Sequence, residues 1–327
     1  MEKKITRIGV FTSGGDSPGM NAAIRSVVRS SIYFGYKVVG IKNGYQGMIE
    51  GDFIPMDSAS VSNIIQRGGT ILQTARSKEF MQEEGRKKAF KQLQKANIDA
   101  LVAIGGNGTF AGAETMGKEF QIPIVGIPGT IDNDLFGTDY TIGYDTALNT
   151  VIEAVDKIRD TASSHHRLFF IEVMGRDAGF IALNTGIACG AEDILIPEET
   201  TSVDELIGIL DRGFRHNKNS GIIIVAEGDD SGGALKIAEK VKQRFDHYET
   251  RVTILGHIQR GGTPTCADRV LASRLGYEAV NALHNGYKGI MTGIVDDQVA
   301  HTPLSKAIKH HNFMNKDLLE IARVLSL

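Results

Sequence analysis

Asp132 and Asp134 stand two residues apart in Pro128-Gly129-Thr130-Ile131-Asp132-Asn133-Asp134, directly after an apolar run, with the Thr130 hydroxyl two residues before the first carboxylate. Phosphoryl transfer needs a base within reach of the attacking hydroxyl and groups that place metal and charge. An Asp-x-Asp at a strand end can supply both. The competing reading is an Asx turn, which is common at strand ends. The density of polar groups at this one turn favours chemistry.

Two glycine-rich turns come earlier in the chain. Thr12-Ser13-Gly14-Gly15-Asp16-Ser17-Pro18-Gly19 follows an apolar run and precedes a helical pattern. Glycines allow close backbone approach to a phosphate, and a helix that follows offers its first N–H groups. No Gly-Lys-Ser/Thr follows, so this is not a P-loop, and the same glycines would also serve a tight turn with positive φ. Gly105-Gly106-Asn107-Gly108-Thr109 has the same build. It points to nucleotide phosphate without naming the acceptor: kinases without a P-loop, NAD and lipid kinases among them, carry a Gly-Gly-Asp-Gly-Thr/Ser turn. Asn107 occupies the position of that aspartate.

Arginines stand beside such turns at Arg76, Arg167, Arg176, Arg251 and Arg260, the last in Gly256-His257-Ile258-Gln259-Arg260-Gly261-Gly262. A guanidinium fork matches phosphate oxygens. Any one of these could be a solvated surface charge; several at strand ends beside glycines form a pattern. His257, inside the glycine-arginine loop, is placed for a phosphate or sugar contact. His165 and His166 have no ligand partners at metal spacing and read as structural. Arg25 and Arg29 lie four apart, on one face of a helix, either as a solvated stripe or as a second anion site.

These side chains need a frame. Apolar runs at Ile5–Thr12, Val38–Ile41, Ala100–Ile104, Ile122–Ile127, Arg167–Val173, Gly221–Ala226 and Val252–Leu255 alternate with helical patterns such as Met20 to Phe34, stopped by Gly35. Strand, glycine turn and helix in alternation predict parallel sheets covered by helices on both faces. Ligands of such sheets bind beyond the strand carboxyl ends, where the glycine turns fall. At 327 residues the chain exceeds what one core usually serves, so two domains are expected. No linker separates them, which implies that the chain crosses between domains more than once, near Gly143 and near the Gly256 to Gly261 loop. A net charge of −3 gives no basic field for nucleic acid or acidic membrane. Cys189 and Cys266 read as reduced thiols. Met1-Glu2-Lys3-Lys4 lacks the apolar core of a signal peptide, and no run reaches bilayer length. A cytoplasmic protein is expected.

Taken together, Thr130-Ile131-Asp132-Asn133-Asp134, Val173-Met174-Gly175-Arg176 and Gly256-His257-Ile258-Gln259-Arg260-Gly261-Gly262 resemble the motifs of the bacterial ATP-dependent 6-phosphofructokinase family, in the family's order, from Ile8-Gly9-Val10 to about Asp297. The resemblance implies an α/β fold of two Rossmann-like three-layer domains with mostly parallel sheets. It implies a nucleotide-binding domain over 1–143 and 259–308 and a fructose-6-phosphate-binding domain over 144–258 and 309–327, with catalysis in the cleft. It further implies a magnesium-dependent, allosteric, glycolytic kinase that forms homotetramers. ATP would be the phosphoryl donor and fructose 6-phosphate the acceptor, with no nucleic-acid or membrane partner.

Residue by residue, the resemblance places Gly15, Tyr45, Arg76, Ser77, Gly106, Asn107, Gly108 and Thr109 at nucleotide or metal positions. Thr130, Asp132, Met174, Gly175, Arg176, Glu227, His257 and Arg260 fall at sugar-phosphate positions. Arg167 and Arg251 match arginines that reach the sugar phosphate from a neighbouring subunit. Asp132 matches the general base for the 1-hydroxyl; Asp134, with Asn107, matches the metal position; Arg76, Arg176 and Thr130 match groups around the transferring phosphoryl. An effector site for an anion and metal is implied at Arg25, Arg29, Arg159, Glu192 and Lys218.

Three departures matter. Pyrophosphate-using relatives carry aspartate where Gly108 stands and lysine where Gly129 stands; aspartate at Gly108 would crowd and repel the α-phosphate of ATP, so ATP is the expected donor. Ser58 replaces an expected effector-site arginine, and the basic stretch before Gly221 is thinned to Asn217-Lys218-Asn219-Ser220, which weakens diphosphate binding there. Asn107 removes a charge beside the metal position. The rival readings are a pyrophosphate-dependent phosphofructokinase and a catalytically weak sugar-phosphate sensor.

Overall fold

The computed structural model describes residues 4–216, 218–310 and 312–325. Met1 to Lys3 of the amino-terminal run and Asn217 of the thinned basic stretch lie outside them. In chain order the elements are β1 (Arg7–Thr12), α1 (Met20–Tyr33), β2 (Lys37–Ile41), α2 (Gly44–Glu50), β3 (Phe53–Met56), α3 (Glu83–Lys95), β4 (Ala100–Gly105), α4 (Asn107–Phe120), β5 (Ile124–Pro128) and α5 (Tyr144–Ser163). There follow β6 (Arg167–Val173), α6 (Phe180–Ala188), β7 (Asp193–Leu195), α7 (Val203–Arg215), β8 (Gly221–Ala226), α8 (Ala234–Lys242) and β9 (Glu249–Ile254). The chain continues through a 3₁₀ turn (Gly256–Arg260), α9 (Cys266–His284), β10 (Ile290–Val295), β11 (Gln298–Pro303), α10 (Leu304–Ala307) and α11 (Lys316–Leu325).

Two compact units result. The first comprises Met1–Ile131, Leu135–Thr146 and Arg260–Asn312; the second comprises Asp132–Asp134, Ala147–Gln259 and Phe313–Leu327. The chain therefore passes between units repeatedly.

The first unit holds a seven-stranded sheet in the order β11-β10-β5-β4-β1-β2-β3. Its inner strands are parallel and only the edge pairs β2–β3 and β10–β11 are antiparallel. Side chains alternate across the pleat. Ile8 and Val10 of β1 and Val102 and Ile104 of β4 pack with Ala23 and Val27 of α1 and Leu275 and Ala279 of α9. Their neighbours Phe11, Leu101 and Ala103 face the opposite way, onto Met48 of α2, Leu93 of α3 and Phe110 of α4. Both faces are covered, which is why these strands read as unbroken apolar runs. From β1 the chain moves to β2 on one side, whereas from β4 it moves to β5 on the other. The switch point, where connections diverge and leave a crevice, falls between β1 and β4.

The second unit holds a wholly parallel sheet, β7-β8-β6-β9. Leu168 and Phe170 of β6 and Ile223 and Val225 of β8 pack against Leu206 and Leu210 of α7 and Ile237 and Val241 of α8.

Strand β9 starts at Glu249 and ends at Ile254, earlier than the apolar run Val252–Leu255 marks. Its first three residues, Glu249-Thr250-Arg251, are polar, and hydrophobicity cannot signal them. Strand β5 likewise runs over Ile124–Pro128 rather than from Ile122. The strands β3, β7, β10 and β11 lie at or near sheet edges and lack a continuous apolar signature. No helix of the described residues is long and apolar enough to cross a membrane.

Candidate active site

The two glycine turns meet. Strands β1 and β4 are neighbours, with Thr12 opposite Ile104, so both turns leave the sheet side by side. Ser13 N–H donates to the Ile104 carbonyl at 3.0 Å. The Thr109 hydroxyl donates to the Ser13 carbonyl, also at 3.0 Å. Gly14 turns at φ 84°, a left-handed conformation that glycine accepts without strain. A β-carbon on Gly105 would lie 2.4 Å from the Ser13 carbonyl oxygen, so the junction between the loops admits no side chain. The tied loops form one floor at the switch point, with the amino end of the 14-residue helix α4 opening onto it at Gly106 and Asn107. No acidic residue stands in the first turn of α4, so its dipole favours an anion there.

Gly108 is exposed, and a β-carbon on it would meet no atom within 4 Å. Gly129 is different: a β-carbon there would come within 3.1 Å of Ile104 and 3.2 Å of Met20. Thr130, one residue on, lies against Gly106, whose added β-carbon would be 3.6 Å from Thr130 Cβ. The Thr130 carbonyl accepts from the Thr141 hydroxyl at 2.6 Å. Thus Gly15, Gly106, Asn107, Gly108, Thr109 and Thr130 are brought to one crevice of the first unit.

Arg260 joins them. Its Nη1 is 3.5 Å from the Asp16 carbonyl and would be 2.6 Å from a β-carbon on Gly15. Of the sugar-phosphate candidates, it is thus grouped with the glycine floor. Arg76 is exposed in the segment before α3. That segment is docked on β1, where the Thr12 hydroxyl lies 2.9 Å from that of Thr70 and 3.0 Å from the Gln73 carbonyl. Ser77 donates to Gln46 at 2.7 Å and accepts from Phe80 N–H. Tyr45 lies behind the floor: buried, stacked on Phe80 at 4.0 Å, its hydroxyl donating to the Thr109 carbonyl at 2.5 Å. Burial pushes its phenol well above the ordinary range. What Tyr45 does in the fold is to brace α4: a β-carbon on Gly112 would strike its ring at 2.8 Å.

Past β5 the chain enters Asp132-Asn133-Asp134. Asp132 is only 5 % exposed and Asn133 turns the backbone at φ 53° between the two aspartates. Asparagine tolerates this left-handed conformation better than most residues. Asp134 is half-buried.

In the second unit, Met174-Gly175-Arg176, Glu227 and His257 follow the carboxyl ends of the adjacent strands β8, β6 and β9. Glu227 accepts from Arg176 N–H at 2.8 Å and from Gly175 N–H at 3.3 Å. Arg176 holds φ 54°, an uncommon conformation for an arginine, and its side chain is exposed. Gln259, fully buried, accepts from Met174 N–H at 3.2 Å and donates to the Gly256 carbonyl at 3.0 Å. It ties the arginine turn to the loop carrying exposed His257.

Arg167 and Arg251 stand elsewhere, in the amino-terminal part of the same sheet. Arg167 begins β6, a seven-residue strand that separates its two ends by about 20 Å. Arg167 therefore lies a strand length from Met174, Arg176 and Glu227, while Arg251, level with Phe169, lies partway along the same sheet. The two arginines share a carboxylate. Arg167 Nε donates to Glu249 at 2.8 Å, and Arg251 pairs with the other oxygen of Glu249. The Arg167 guanidinium, then Arg251, hold the Glu249 carboxyl below its usual range.

The effector candidates also divide. Arg25 and Arg29 lie on α1 in the first unit. In the second, Arg159 donates to the Cys189 and Gly190 carbonyls at the end of α6, and Lys218 pairs with Glu192 at 2.6 Å. Exposed His165 and His166 lead into β6, Glu249 N–H donating to the His166 carbonyl at 3.2 Å. Sequence reasoning missed Glu249 and Gln259. The first was hidden in a polar strand start; the second became visible only when its two backbone partners did.

An open, mostly parallel sheet with two glycine loops fused at its switch point, and no P-loop lysine, defines an α/β protein built for nucleotide phosphate. The phosphofructokinase family model matches residues 7–283, and the chain belongs to that family. It is 57 % identical over 321 residues to the ATP-dependent 6-phosphofructokinase 1 of Thermus thermophilus, covering 98 % of this chain and 99 % of the relative. It is 56 % identical over 320 residues to the ATP-dependent 6-phosphofructokinase 2 of Bacteroides thetaiotaomicron, covering 98 % of each. The solved phosphofructokinase of Saccharomyces cerevisiae matches with a TM-score of 0.89 at 39 % identity over 93 % of this chain, which spans 45 % of that longer chain.

Proposed function

We propose that the chain transfers the γ-phosphoryl group of ATP to the 1-hydroxyl of fructose 6-phosphate, giving fructose 1,6-bisphosphate and ADP, the phosphofructokinase step of glycolysis in the cytoplasm. The observation that carries this reading is the buried Asp132 following β5, in a chain 56–57 % identical to relatives named for that ATP-dependent activity. Asp132 takes the proton of the 1-hydroxyl as its oxygen attacks the γ-phosphorus and the bond to ADP breaks. The first unit binds the nucleotide on the floor made by Gly15, Gly106, Asn107, Gly108 and Thr109, with Arg76 and Ser77 around it and Tyr45 bracing the floor from behind. The second binds fructose 6-phosphate through Met174, Gly175, Arg176, Glu227 and His257, joined by Arg260 and Thr130. Arg76, Arg176 and Thr130 steady the transferring group.

ATP is favoured over pyrophosphate by the open space at Gly108, which leaves room for an α-phosphate, and by the packing at Gly129, where a lysine would have to displace Ile104 and Met20. Asn107 and Asp134 would each offer one oxygen to Mg²⁺, an ion that keeps several waters and draws much of its binding from phosphate oxygens. One carboxylate and one amide oxygen are a sufficient protein share. Bound there, the ion would neutralise charge on the phosphates.

Arg167 and Arg251 serve the 6-phosphate of a neighbouring subunit in a homotetramer. The strand length between Arg167 and Arg176 supports this for Arg167, and Glu249, which pairs with both arginines, keeps Arg251 beside it. Arg25 and Arg29 of the first unit and Arg159, Glu192 and Lys218 of the second are the candidate effector residues. Pairing of Lys218 with Glu192, and Ser58 in place of an arginine, leave this set weakly basic. The test is initial-rate kinetics with fructose 6-phosphate and either ATP or pyrophosphate. ADP release with ATP alone supports the reading; turnover with pyrophosphate, or none with either donor, overturns it.

A further inference from the structure

The register of β6 and β9 puts Arg167 directly opposite Glu249 and Phe169 opposite Arg251. Paired residues of parallel strands share a face, and residues two apart on one strand share it too. Arg167, Glu249 and Arg251 therefore rise from one side of the sheet, while Val252 turns the other way into the core with Leu206 and Leu210. The arrangement follows from strand geometry. Its charge pattern does not follow from packing, since Glu249 and Arg251 are about half exposed.

From this triad we infer that Glu249 is a positioning residue for phosphate capture: its carboxylate holds two guanidiniums convergent and leaves their remaining donors for the sugar phosphate. The inference rests on the reading above, in which Arg167 and Arg251 bind the 6-phosphate. Two guanidiniums side by side on a sheet face repel each other and are long, rotamer-rich chains. A carboxylate between them removes the repulsion and selects one rotamer for each. The atoms used are informative. Glu249 takes Nε of Arg167, the inner edge of the fork, through one oxygen, and a single terminal nitrogen of Arg251 through the other. Among the described residues, both terminal nitrogens of Arg167 and the second terminal nitrogen of Arg251 make no hydrogen bond and are left for an incoming phosphate. Those terminal groups are the ones that grip phosphate bidentately.

The experiment is steady-state kinetics of Glu249→Gln, which keeps the shape and loses the charge, alongside Arg167→Ala, Arg251→Ala and the double variants of each with Glu249→Gln. Glu249→Gln alone should raise KM for fructose 6-phosphate roughly three- to tenfold, with kcat falling less than about twofold and KM for ATP unmoved. In an Arg167→Ala or Arg251→Ala background it should add little, because the group it positions is gone. A generally structural role would lower kcat and thermal midpoint and give additive effects. If the arginine variants raise KM while Glu249→Gln leaves it unchanged or lowers it, the positioning role is wrong and the phosphate reading stands. Arginine variants with unaltered KM overturn both.

Discussion

Arg260 lays its guanidinium in the space that a side chain on Gly15 would need, with Nη1 2.6 Å from the position of that β-carbon. Gly15 thus leaves room for the arginine. Gly15→Ala should fold, since its backbone lies outside the left-handed region, and should push the flexible arginine aside. Displacing one charge-assisted phosphate contact should raise KM for fructose 6-phosphate by about tenfold, with KM for ATP rising as well. A variant with both constants unchanged would show that Arg260 acts from another position.

Asp132 carries the strongest functional expectation. Asp132→Ser should lower kcat by roughly 10²–10⁴-fold, the usual worth of a positioned base. KM for fructose 6-phosphate should barely move, because in the proposed reading arginines hold the sugar phosphate. Near-normal kcat would remove Asp132 from the role of base.

Shared sites can be tested by complementation. In mixed oligomers of Asp132→Ser and Arg251→Ala chains, a site built on the second chain keeps its aspartate and receives an intact Arg251 from the first. At low fructose 6-phosphate, dissociating and reassociating the mixture should restore activity above the sum of the parents. Activity equal to that sum, or a fully active monomer, would show that each chain supplies its own arginines.

Asn107 opens α4 at the glycine floor. Asparagine offers an acceptor to a metal-bound water but no charge. Asn107→Asp would add a carboxylate where a helix amino end also favours one. The variant should saturate at lower magnesium than the parent at fixed ATP, and superimposed magnesium curves would place the side chain away from the metal.

The two thiols should behave differently. Cys266 is exposed, while Cys189 is buried, and burial, followed by the nearby Asp156, pushes its thiol up to about 11. A disulfide-exchange reagent at about pH 8 should label one thiol quickly and the second only as the chain unfolds. Because the folded value lies above the unfolded 9.0, the native state keeps a proton that the unfolded chain releases. Stability should therefore fall as pH rises from about 9 through about 11. Two fast-reacting thiols would contradict the burial of Cys189.

Composition and pattern alone determined a good deal here. Apolar runs ending in glycine announced β1, β4 and β5, because strands covered on both faces are apolar throughout and close-packed turns at their ends exclude side chains. Thr130, Asp132 and Asp134 stood out by their spacing along a single turn, which is what suggested phosphoryl transfer. Glu249 was silent for the opposite reason: a charged residue at an exposed strand start has no hydrophobic signature, and its meaning lies in the register that sets it against Arg167. Gln259 was silent too, since a buried amide is defined by the backbone groups it satisfies. Only the tertiary structure decided that Ser13 and Thr109 fuse two distant glycine turns into one floor and that Arg260 crosses onto Gly15. The pairing of Arg167 with Arg251 through Glu249 was likewise decided by the fold, through the register of β6 and β9. Local sequence fixes what a residue can do; contacts between residues far apart in the chain depend on strand order and register, which the whole packed core selects.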